Sequence, residues 1–252
     1  MLMWFVCAGP RLTVVAAFFP WGGNIVTYQY RGEYIGSEAT VKVALPGGIA
    51  TQAYQRIVKR AFDLLIVALV ALPVLAVLLV LGAIVALDGH APFYMQDRVG
   101  QGGRLFKLFK LRSMIPNADQ VLDQTLASDP AARAEWDEFQ KLSKDPRITR
   151  VGRILRKSSL DELPQLINVA LGQMSIVGPR PIMDNQRGIY PGHDYYAMRP
   201  GITGFWQISV RNESSFADRA QFDSSYFHAM SFGTDLRVIS KTFAVVIKGT
   251  GV

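Results

Sequence analysis

The feature that most constrains the fold is an apolar run from Leu64 to Leu87, LLIVALVALPVLAVLLVLGAIVAL. Its 24 residues carry no charge. A helix of this length rises roughly 36 Å, which is enough to cross the hydrocarbon core of a bilayer. A buried helix of a soluble domain is the alternative, but such helices are rarely apolar on every face for so long. Half of all residues are hydrophobic, which also favours a membrane segment.

Basic residues flank this run on both sides. Lys59 and Arg60 precede it, and further cations follow it: Arg98, Arg104, Lys107, Lys110 and Arg112. Because Lys- and Arg-rich flanks stay in the cytoplasm, a segment that enters the membrane, bends and returns suits both ends. Pro73 lies near the middle of the run and can break a helix there. We therefore expect a re-entrant helical hairpin with arms 64–72 and 74–87; a single span is the alternative.

The segment after the membrane run predicts a β-hairpin. Strand-like runs at Phe93–Val99 and Leu105–Leu111 are separated by GQGG, a turn sequence. These glycines match no phosphate-binding motif, so a plain turn is the interpretation. Lys110 and Arg112 make the second strand cationic, which fits either phosphate binding or contact with solvent and lipid headgroups. Helical patterns follow at 118–126, 131–142 and 236–247. The last of these fits a core helix or an interfacial one. The predicted fold class is α+β, mainly helical.

A dense run of cations lies between Pro146 and Leu160. It contains five basic residues and no acid: Arg147, Arg150, Arg153, Arg156 and Lys157. Four of them, from Arg150 onward, fall on one side of a helix, where like charges repel unless an anion offsets them. The run lacks the interleaved aromatic residues that stack on nucleic-acid bases. Lipid phosphate or a nucleotide diphosphate therefore suits it better, although the net charge of +7 does not choose among anions.

A carboxylate pair, Asp161-Glu162, follows these cations and precedes an amphipathic stretch with Pro164 in its first turn. The structural interpretation is helix capping, either by a Ser159-x-x-Glu162 capping box or by Asp161 alone. In the functional interpretation, an ionised carboxylate attacks phosphorus and its neighbour holds Mg²⁺. Spacing alone favours capping.

Two Pro/Gly loops carry further arginines. Arg180 lies in VGPRP, and Arg199 lies in MRPGITGFWQIS. A guanidinium on a rigid loop suits bidentate phosphate recognition, and simple connectors are the alternative. The single cysteine and three scattered histidines exclude a disulfide framework and a Cys/His metal site.

Five segments, in this order, resemble the bacterial sugar transferase family of monotopic phosphoglycosyl transferases. They are KRAFDLLIVALVALPVLAVLLVL, FYMQDRVGQGGRLFKLFKLRSM, ITRVGRILRKSSLDELPQLINVALGQMSIVGPRP, MRPGITGFWQIS and FDSSYFHAMSFGTDLRVISKT. The resemblance covers residues 54–250 and leaves 1–50 outside. Larger members carry more membrane spans, so this chain is expected to be the short, catalytic form.

The resemblance implies a function and a set of site residues. Such enzymes need Mg²⁺ and transfer a sugar phosphate from a UDP-sugar to undecaprenyl phosphate, releasing UMP in a ping-pong reaction. It implies that Asp161 is the nucleophile and that Glu162 supports metal binding, with both assigned to the metal site. The phosphate-binding candidates are Arg156, Arg180, Arg153, Lys110, Arg112 and Arg199. The membrane-anchor candidates are Lys59, Arg60 and Pro73.

The expected organisation has three parts. Residues 1–53 form an irregular N-terminal extension that is expected to be poorly ordered, 54–90 a re-entrant membrane helix, and 91–252 a cytoplasmic catalytic domain at the bacterial inner membrane. Galactose or glucose is the expected sugar, and the question of a homo-oligomer stays open. A non-enzymatic membrane scaffold and a nucleic-acid-binding regulator are competing hypotheses, although the absence of recognition motifs argues against nucleic acid as a partner.

Overall fold

A computed structural model describes four strands within residues 4–44, and residues 54–209 and 214–247. The strands are β1 (Trp4–Gly9), β2 (Leu12–Ala17), β3 (Ile25–Tyr30) and β4 (Ala39–Ala44). They pair antiparallel in the order β1-β2-β3-β4. The expectation of irregular structure is wrong for these segments. They are short but rich in Val, Ile, Thr and Tyr, which fit a pleated sheet.

The apolar run forms one long helix, α1 (Lys59–Ala86), preceded by a π-helical turn at Tyr54–Val58. Within the described ranges it is the helix long and apolar enough to cross a membrane. Leu69 and Leu72 are 78% and 80% exposed, so a buried core helix is excluded. The backbone stays helical through Pro73, and the expected interruption of helical structure there is wrong. Proline removes one hydrogen bond of the ladder, and the flanking bonds carry the helix across it.

Both ends of α1 contact the same compact part of the chain. At its start, the Arg60 guanidinium donates to the carbonyl oxygen of Val169 at 2.5 Å. Near its end, Val85 belongs to the same apolar cluster as Leu111. The elements that carry Val169 and Leu111 contact one another. A straight helix of this length would hold its two ends about 40 Å apart, so these contacts favour a bent path.

The remaining elements surround this contact region. The predicted hairpin is confirmed as β5 (Phe93–Val99) and β6 (Leu105–Leu111), in antiparallel register from Phe93↔Leu111 to Val99↔Leu105. Then follow α2 (Ala118–Ser128), α3 (Pro130–Phe139), α4 (Arg150–Lys157), α5 (Gln165–Ala170), β7 (Ser175–Val177), β8 (Gly201–Thr203), α6 (Phe205–Ile208), α7 (Arg219–Ala229) and α8 (Phe232–Ile247). Strands β7 and β8 pair in parallel. The chain is therefore mainly helical, as expected.

Helix α8, for which a core and an interfacial position were both expected possibilities, has buried and exposed apolar residues. Val238 is buried, but Leu236 and Phe243 are 52% and 65% exposed. Its apolar residues therefore do not all face the core.

A buried polar cluster fixes the start of α1 to the domain. Asp235 of α8 is 1% exposed and accepts from Lys59 Nζ at 2.5 Å. The hydroxyls of Tyr54 and Tyr226 donate to the same carboxylate at 2.6 and 2.7 Å. We call these four residues the Asp235 cluster. Lys59 was expected to anchor the chain to the membrane, but the structure pairs it with protein groups.

Candidate active site

The chain reverses sharply to place the carboxylate pair. Helix α4 ends at Lys157, and Ser159 adopts a left-handed conformation with φ 56°. Asp161 and Glu162 then lie in a short 3₁₀ turn, Leu160–Glu162. Ser159 makes no capping hydrogen bond with its side chain, so the capping-box interpretation is wrong.

The helix after the pair is short, Gln165–Ala170. Pro164 precedes its first residue, Gln165, and makes no side-chain cap. Gly172, with φ 80°, follows the last helical turn, as is typical of a helix end. The carboxylates are therefore free of a capping role.

Glu162 is the centre of a network of ion pairs. Its Oε1 atom lies 3.2 Å from Lys110 Nζ and 3.0 Å from Arg180 Nη2. Burial raises the pKa of Glu162, but the charges of Arg180 and Lys110 outweigh it and bring the pKa down to about 2. We call these three residues the Glu162 cluster. Its carboxylate stays ionised at any physiological pH.

Asp161 lies at the edge of this cluster. It is 4% exposed, and its Oδ2 atom is 3.8 Å from Lys110 Nζ. None of the described residues donates a hydrogen bond to its carboxylate. A carboxylate held near cations with its lone pairs uncommitted can act as a nucleophile toward an incoming phosphate.

Arg156 reaches the same place from α4. Its Nε donates to Ser113 Oγ at 2.9 Å, and burial lowers its pKa while the charge of Asp161 opposes that shift. The close approach depends on Gly152, because a Cβ there would lie 1.9 Å from the carbonyl oxygen of Ser113. Ser113 was not among the predicted site residues.

The other cations of the basic run point elsewhere. Arg150, Arg153 and Lys157 are exposed, while Arg147 is buried and pairs with Asp145 at 2.6 Å. At 100° per residue, Arg156 lies 60° from Arg153 toward the buried side of α4. The predicted common face is therefore split, and Arg153 is not brought to the carboxylates.

Two further phosphate-binding candidates and one membrane-anchor candidate have other neighbours in the structure. Arg112 pairs with Asp88 at 2.5 Å and donates to the carbonyl of Val85 at 3.0 Å, so it closes the end of α1. Arg199 is half-buried, and its pKa is lowered by burial and then by the nearby charge of Arg60. Arg60 itself donates to the last carbonyls of α5.

The acidic residues fit a magnesium ion only together with a substrate. Among the described residues, no three acidic, histidine or cysteine side chains lie close enough together to hold a metal ion. Asp161 and Glu162 offer hard carboxylate oxygens, the ligands that Mg²⁺ prefers, and Mg²⁺ sites often use one or two carboxylates plus substrate phosphates. The donor set is therefore compatible with such an ion.

This chain belongs to the bacterial sugar transferase family, whose profile matches residues 54–249. One similar protein is the UDP-galactose-lipid carrier transferase of Erwinia amylovora, 46% identical over 86% of this chain and 46% of its own length. A second is the exopolysaccharide production protein ExoY of Sinorhizobium fredii, 47% identical over 77% of this chain and 87% of its own.

A third similar protein extends the likeness into the N-terminal region. The undecaprenyl-phosphate galactose phosphotransferase of Salmonella typhimurium is 40% identical over 95% of this chain and 50% of its own length. Because only about one residue in twenty is left out, most of the first fifty residues are matched. They had been expected to lie outside the similarity. The chain spans about half the length of this relative and of the Erwinia relative.

Proposed function

We propose that this protein is a membrane-bound phosphoglycosyl transferase. It transfers a sugar 1-phosphate from a UDP-sugar to undecaprenyl phosphate, releases UMP, and so begins the assembly of an exopolysaccharide or related glycan. The observation that carries the proposal is the Asp161-Glu162 pair set among Lys110, Arg180 and Arg156.

The proposed chemistry has two steps. A carboxylate oxygen of Asp161 attacks the sugar-bearing phosphorus, and the phosphoanhydride bond to the nucleotide phosphate breaks. The bridging oxygen leaves with its electron pair as part of UMP. The phosphate of undecaprenyl phosphate then attacks the phospho-sugar on Asp161 and regenerates the carboxylate. Cations around the transferred phosphate stabilise the charge that develops in both steps.

In this scheme, Lys110 and Arg180 compensate the charge of Glu162, and Arg180 also contacts the substrate. Without this compensation, Glu162 would repel an incoming phosphate. Arg180 is 33% exposed, so part of its guanidinium can reach a substrate. Asp161 and Glu162 would hold Mg²⁺, which supplies charge neutralisation on the phosphates when bound.

The membrane setting is proposed to be re-entrant, with the catalytic part on the cytoplasmic face of the inner membrane. The contacts of both ends of α1 with one domain support this, because a single span would place its ends on opposite sides. Three apolar residues outside α1 are exposed, Ile154, Ile167 and Leu171. Ile154 lies among the exposed cations of α4, a combination that suits an anionic bilayer surface.

The sugar is proposed to be galactose, with glucose as the alternative. The Erwinia and Salmonella relatives carry galactose in their names, and a relative from Escherichia coli, 35% identical over 77% of this chain, is named as a glucose-1-phosphate transferase.

The direct test is UMP release by purified protein with UDP-galactose, UDP-glucose, undecaprenyl phosphate and Mg²⁺. Turnover with one of the two sugars is expected for the wild type. No turnover with any of a panel of UDP-sugars would favour the scaffold hypothesis. Mass spectrometry after reaction with the UDP-sugar alone should find a phospho-sugar on Asp161, and an adduct on another residue would refute Asp161 as nucleophile.

A further inference from the structure

A loop beside the Glu162 cluster brings further arginines together. This loop, Gly178–Pro181, carries Arg180, and its last carbonyl accepts from Arg98 Nη1 at 3.3 Å. On its other side it touches the start of α6, since a Cβ on Gly204 would lie 2.2 Å from the Gly178 oxygen. The loop therefore links the carboxylate pair, through Arg180, to the start of α6.

Helix α6 positions an arginine that the sequence patterns did not single out. The Arg219 guanidinium carbon lies 4.1 Å from the ring centroid of Trp206 and 4.8 Å from that of Phe216. Trp206 is itself held by a hydrogen bond from its Nε1 to Ser214 Oγ at 2.8 Å. Stacking on two rings fixes the plane of the guanidinium, so that its edge, with the N–H donors, is presented in a set direction.

This guanidinium has no anionic partner in the described part of the chain. Arg219 makes no ion pair there, and its Nε is buried without a hydrogen-bond partner. Asp223, an acid whose charge acts on Arg219, accepts from the hydroxyl of Tyr190 at 2.5 Å. Burial raises the pKa of Asp223 to about 7, which makes it a weak counter-charge. Arg98 likewise has a buried Nε without a partner.

The positive charges act on one another. Burial, followed by the charges of Arg180 and Arg98, lowers the pKa of Arg219 to about 9, although Asp223 opposes the shift. Burial, followed by the charge of Arg180, also lowers the pKa of Arg98. Such crowding of partly buried cations is unfavourable unless an anion binds between them. Glu162, already paired with Lys110 and Arg180, does not supply enough negative charge.

We infer that Arg219, together with Arg98 and Arg180, binds the phosphate that leaves with the nucleoside. This inference rests on the proposed function and deepens it by dividing the nucleoside diphosphate sugar between two sites. Lys110, Arg156 and the carboxylates receive the sugar-bearing phosphate. Arg219 receives the neighbouring phosphate, on which the negative charge develops as the phosphoanhydride bond breaks and the bridging oxygen takes the electron pair.

The test compares the binding of two phosphates to purified protein in detergent. UMP stands for the leaving half of the substrate, and galactose 1-phosphate stands for the transferred half. Arg219→Gln is expected to weaken UMP about 10- to 100-fold, the usual effect of losing charge-assisted hydrogen bonds, and to leave galactose 1-phosphate within about 2-fold. Arg219→Lys keeps the charge without the fork and should recover part of the UMP affinity.

The matched control is Arg133→Gln, an exposed arginine of α3 that pairs with Asp137. It should leave both affinities unchanged. Thermal unfolding of each variant establishes that it is folded, and Arg219→Lys keeps the test open where Arg219→Gln fails to fold. Unchanged UMP binding, equal loss of both ligands, or a wild type that binds no UMP would overturn the inference.

A turnover assay separates this inference from the proposed function. With UDP-galactose or UDP-glucose, Arg219→Gln should raise KM for the nucleotide sugar about 10-fold or more. A wild type that binds UMP through Arg219 but turns over no UDP-sugar contradicts the proposed function alone. An active wild type whose KM and UMP affinity do not respond to Arg219 contradicts the inference alone.

Discussion

The Asp235 cluster and the Glu162 cluster each pair a lysine with a carboxylate, yet their charges are balanced differently. In the Asp235 cluster, one buried lysine donates to one buried carboxylate, two tyrosine hydroxyls fill the remaining acceptor sites, and a second buried carboxylate, Asp63, lies nearby. In the Glu162 cluster, one carboxylate meets two cations, and Arg156 stands close by.

The difference in balance matches a difference in access. Lys59 and Asp235 have 8% and 1% of their side chains exposed, whereas Lys110 and Arg180 have 20% and 33%. A closed cluster without surplus positive charge fastens two elements. A cluster with surplus positive charge and an open side attracts an anion. Charge balance and exposure together therefore separate a structural ion pair from a binding site in this molecule.

The largest expected effect is on activity. Asp161→Asn removes the proposed nucleophile and should lower UMP release by about 10³-fold or more. Because no hydrogen bond to the Asp161 carboxylate is recorded among the described residues, the melting temperature should stay nearly unchanged. Steady-state assays and thermal unfolding check both halves. Large destabilisation with proportionate loss of activity would restore the structural interpretation of this residue.

The next effect is on stability. Asp235→Asn removes the carboxylate to which Lys59 and two tyrosine hydroxyls donate and should cost about 3–5 kcal/mol of unfolding free energy. The paired variant Lys59→Met with Asp235→Leu should regain much of this loss. Denaturation in detergent measures both. A double variant as unstable as the single one would show that the tyrosine hydrogen bonds, not the ion pair, hold the cluster.

A substitution on the backbone of α4 probes how Arg156 is placed. Gly152→Ala puts a Cβ against the Ser113 carbonyl and must push α4 away, with an expected cost of about 1–3 kcal/mol. Activity should fall further than the stability loss explains, because Arg156 moves with the helix. The outcome is read from kcat/KM measured well below the melting temperature. Ala132→Gly, at an accessible position of α3, is a control for a glycine–alanine exchange.

The pH dependence of stability gives a smaller effect with a definite sign. The pKa of Glu162 is about 2 in the folded protein and has an ordinary value of 4.5, so folding favours the ionised form. The resulting stability is fully present above about pH 4.5 and is lost as the pH falls toward 2. The difference in unfolding free energy between wild type and Glu162→Gln should therefore be constant from pH 6 to 8 and shrink below about pH 4.5. A difference that changes between pH 6 and 8 would contradict this.

The smallest effect is expected at the exposed end of the basic run. Arg153→Gln should change stability by less than about 0.5 kcal/mol and leave kcat/KM for the UDP-sugar nearly unchanged. Arg156→Gln, three residues later, should lower kcat/KM for the UDP-sugar by about 10-fold or more. Vesicle binding of the Arg153 variant at low and high salt would reveal a contribution of this residue to contact with anionic lipids.

Local patterns predicted much of this molecule. The hairpin strands end where the strand-like runs and the GQGG turn placed them. The apolar run is an exposed helix, but without the interruption expected at Pro73. Three of the residues predicted to bind phosphate, Arg156, Arg180 and Lys110, lie next to the carboxylate pair in the structure, and their phosphate-binding role stays a prediction. Short-range spacing failed for Ser159, because an S-x-x-E pattern is equally compatible with a left-handed turn that forms no cap.

What could not be predicted depends on contacts between distant segments. Arg112 looked like a phosphate ligand by charge alone, but Asp88 and the end of α1 occupy it. Arg219 is stacked on rings from two separate segments, and no periodic pattern in the sequence predicts such a contact. The parallel pairing of β7 with β8 likewise joins strands of three residues each, too short for a pattern.

The attachment of both ends of α1 has a consequence for how the acceptor arrives. Leu160, next to Asp161, packs with the cluster that includes Val85 near the end of α1. In the proposed membrane setting, the height of Asp161, the proposed nucleophile, above the bilayer is therefore fixed by the fold. A lipid-linked phosphate acceptor stays in the bilayer plane, so the search for it is confined to two dimensions. Only the water-soluble nucleotide sugar has to be found in three.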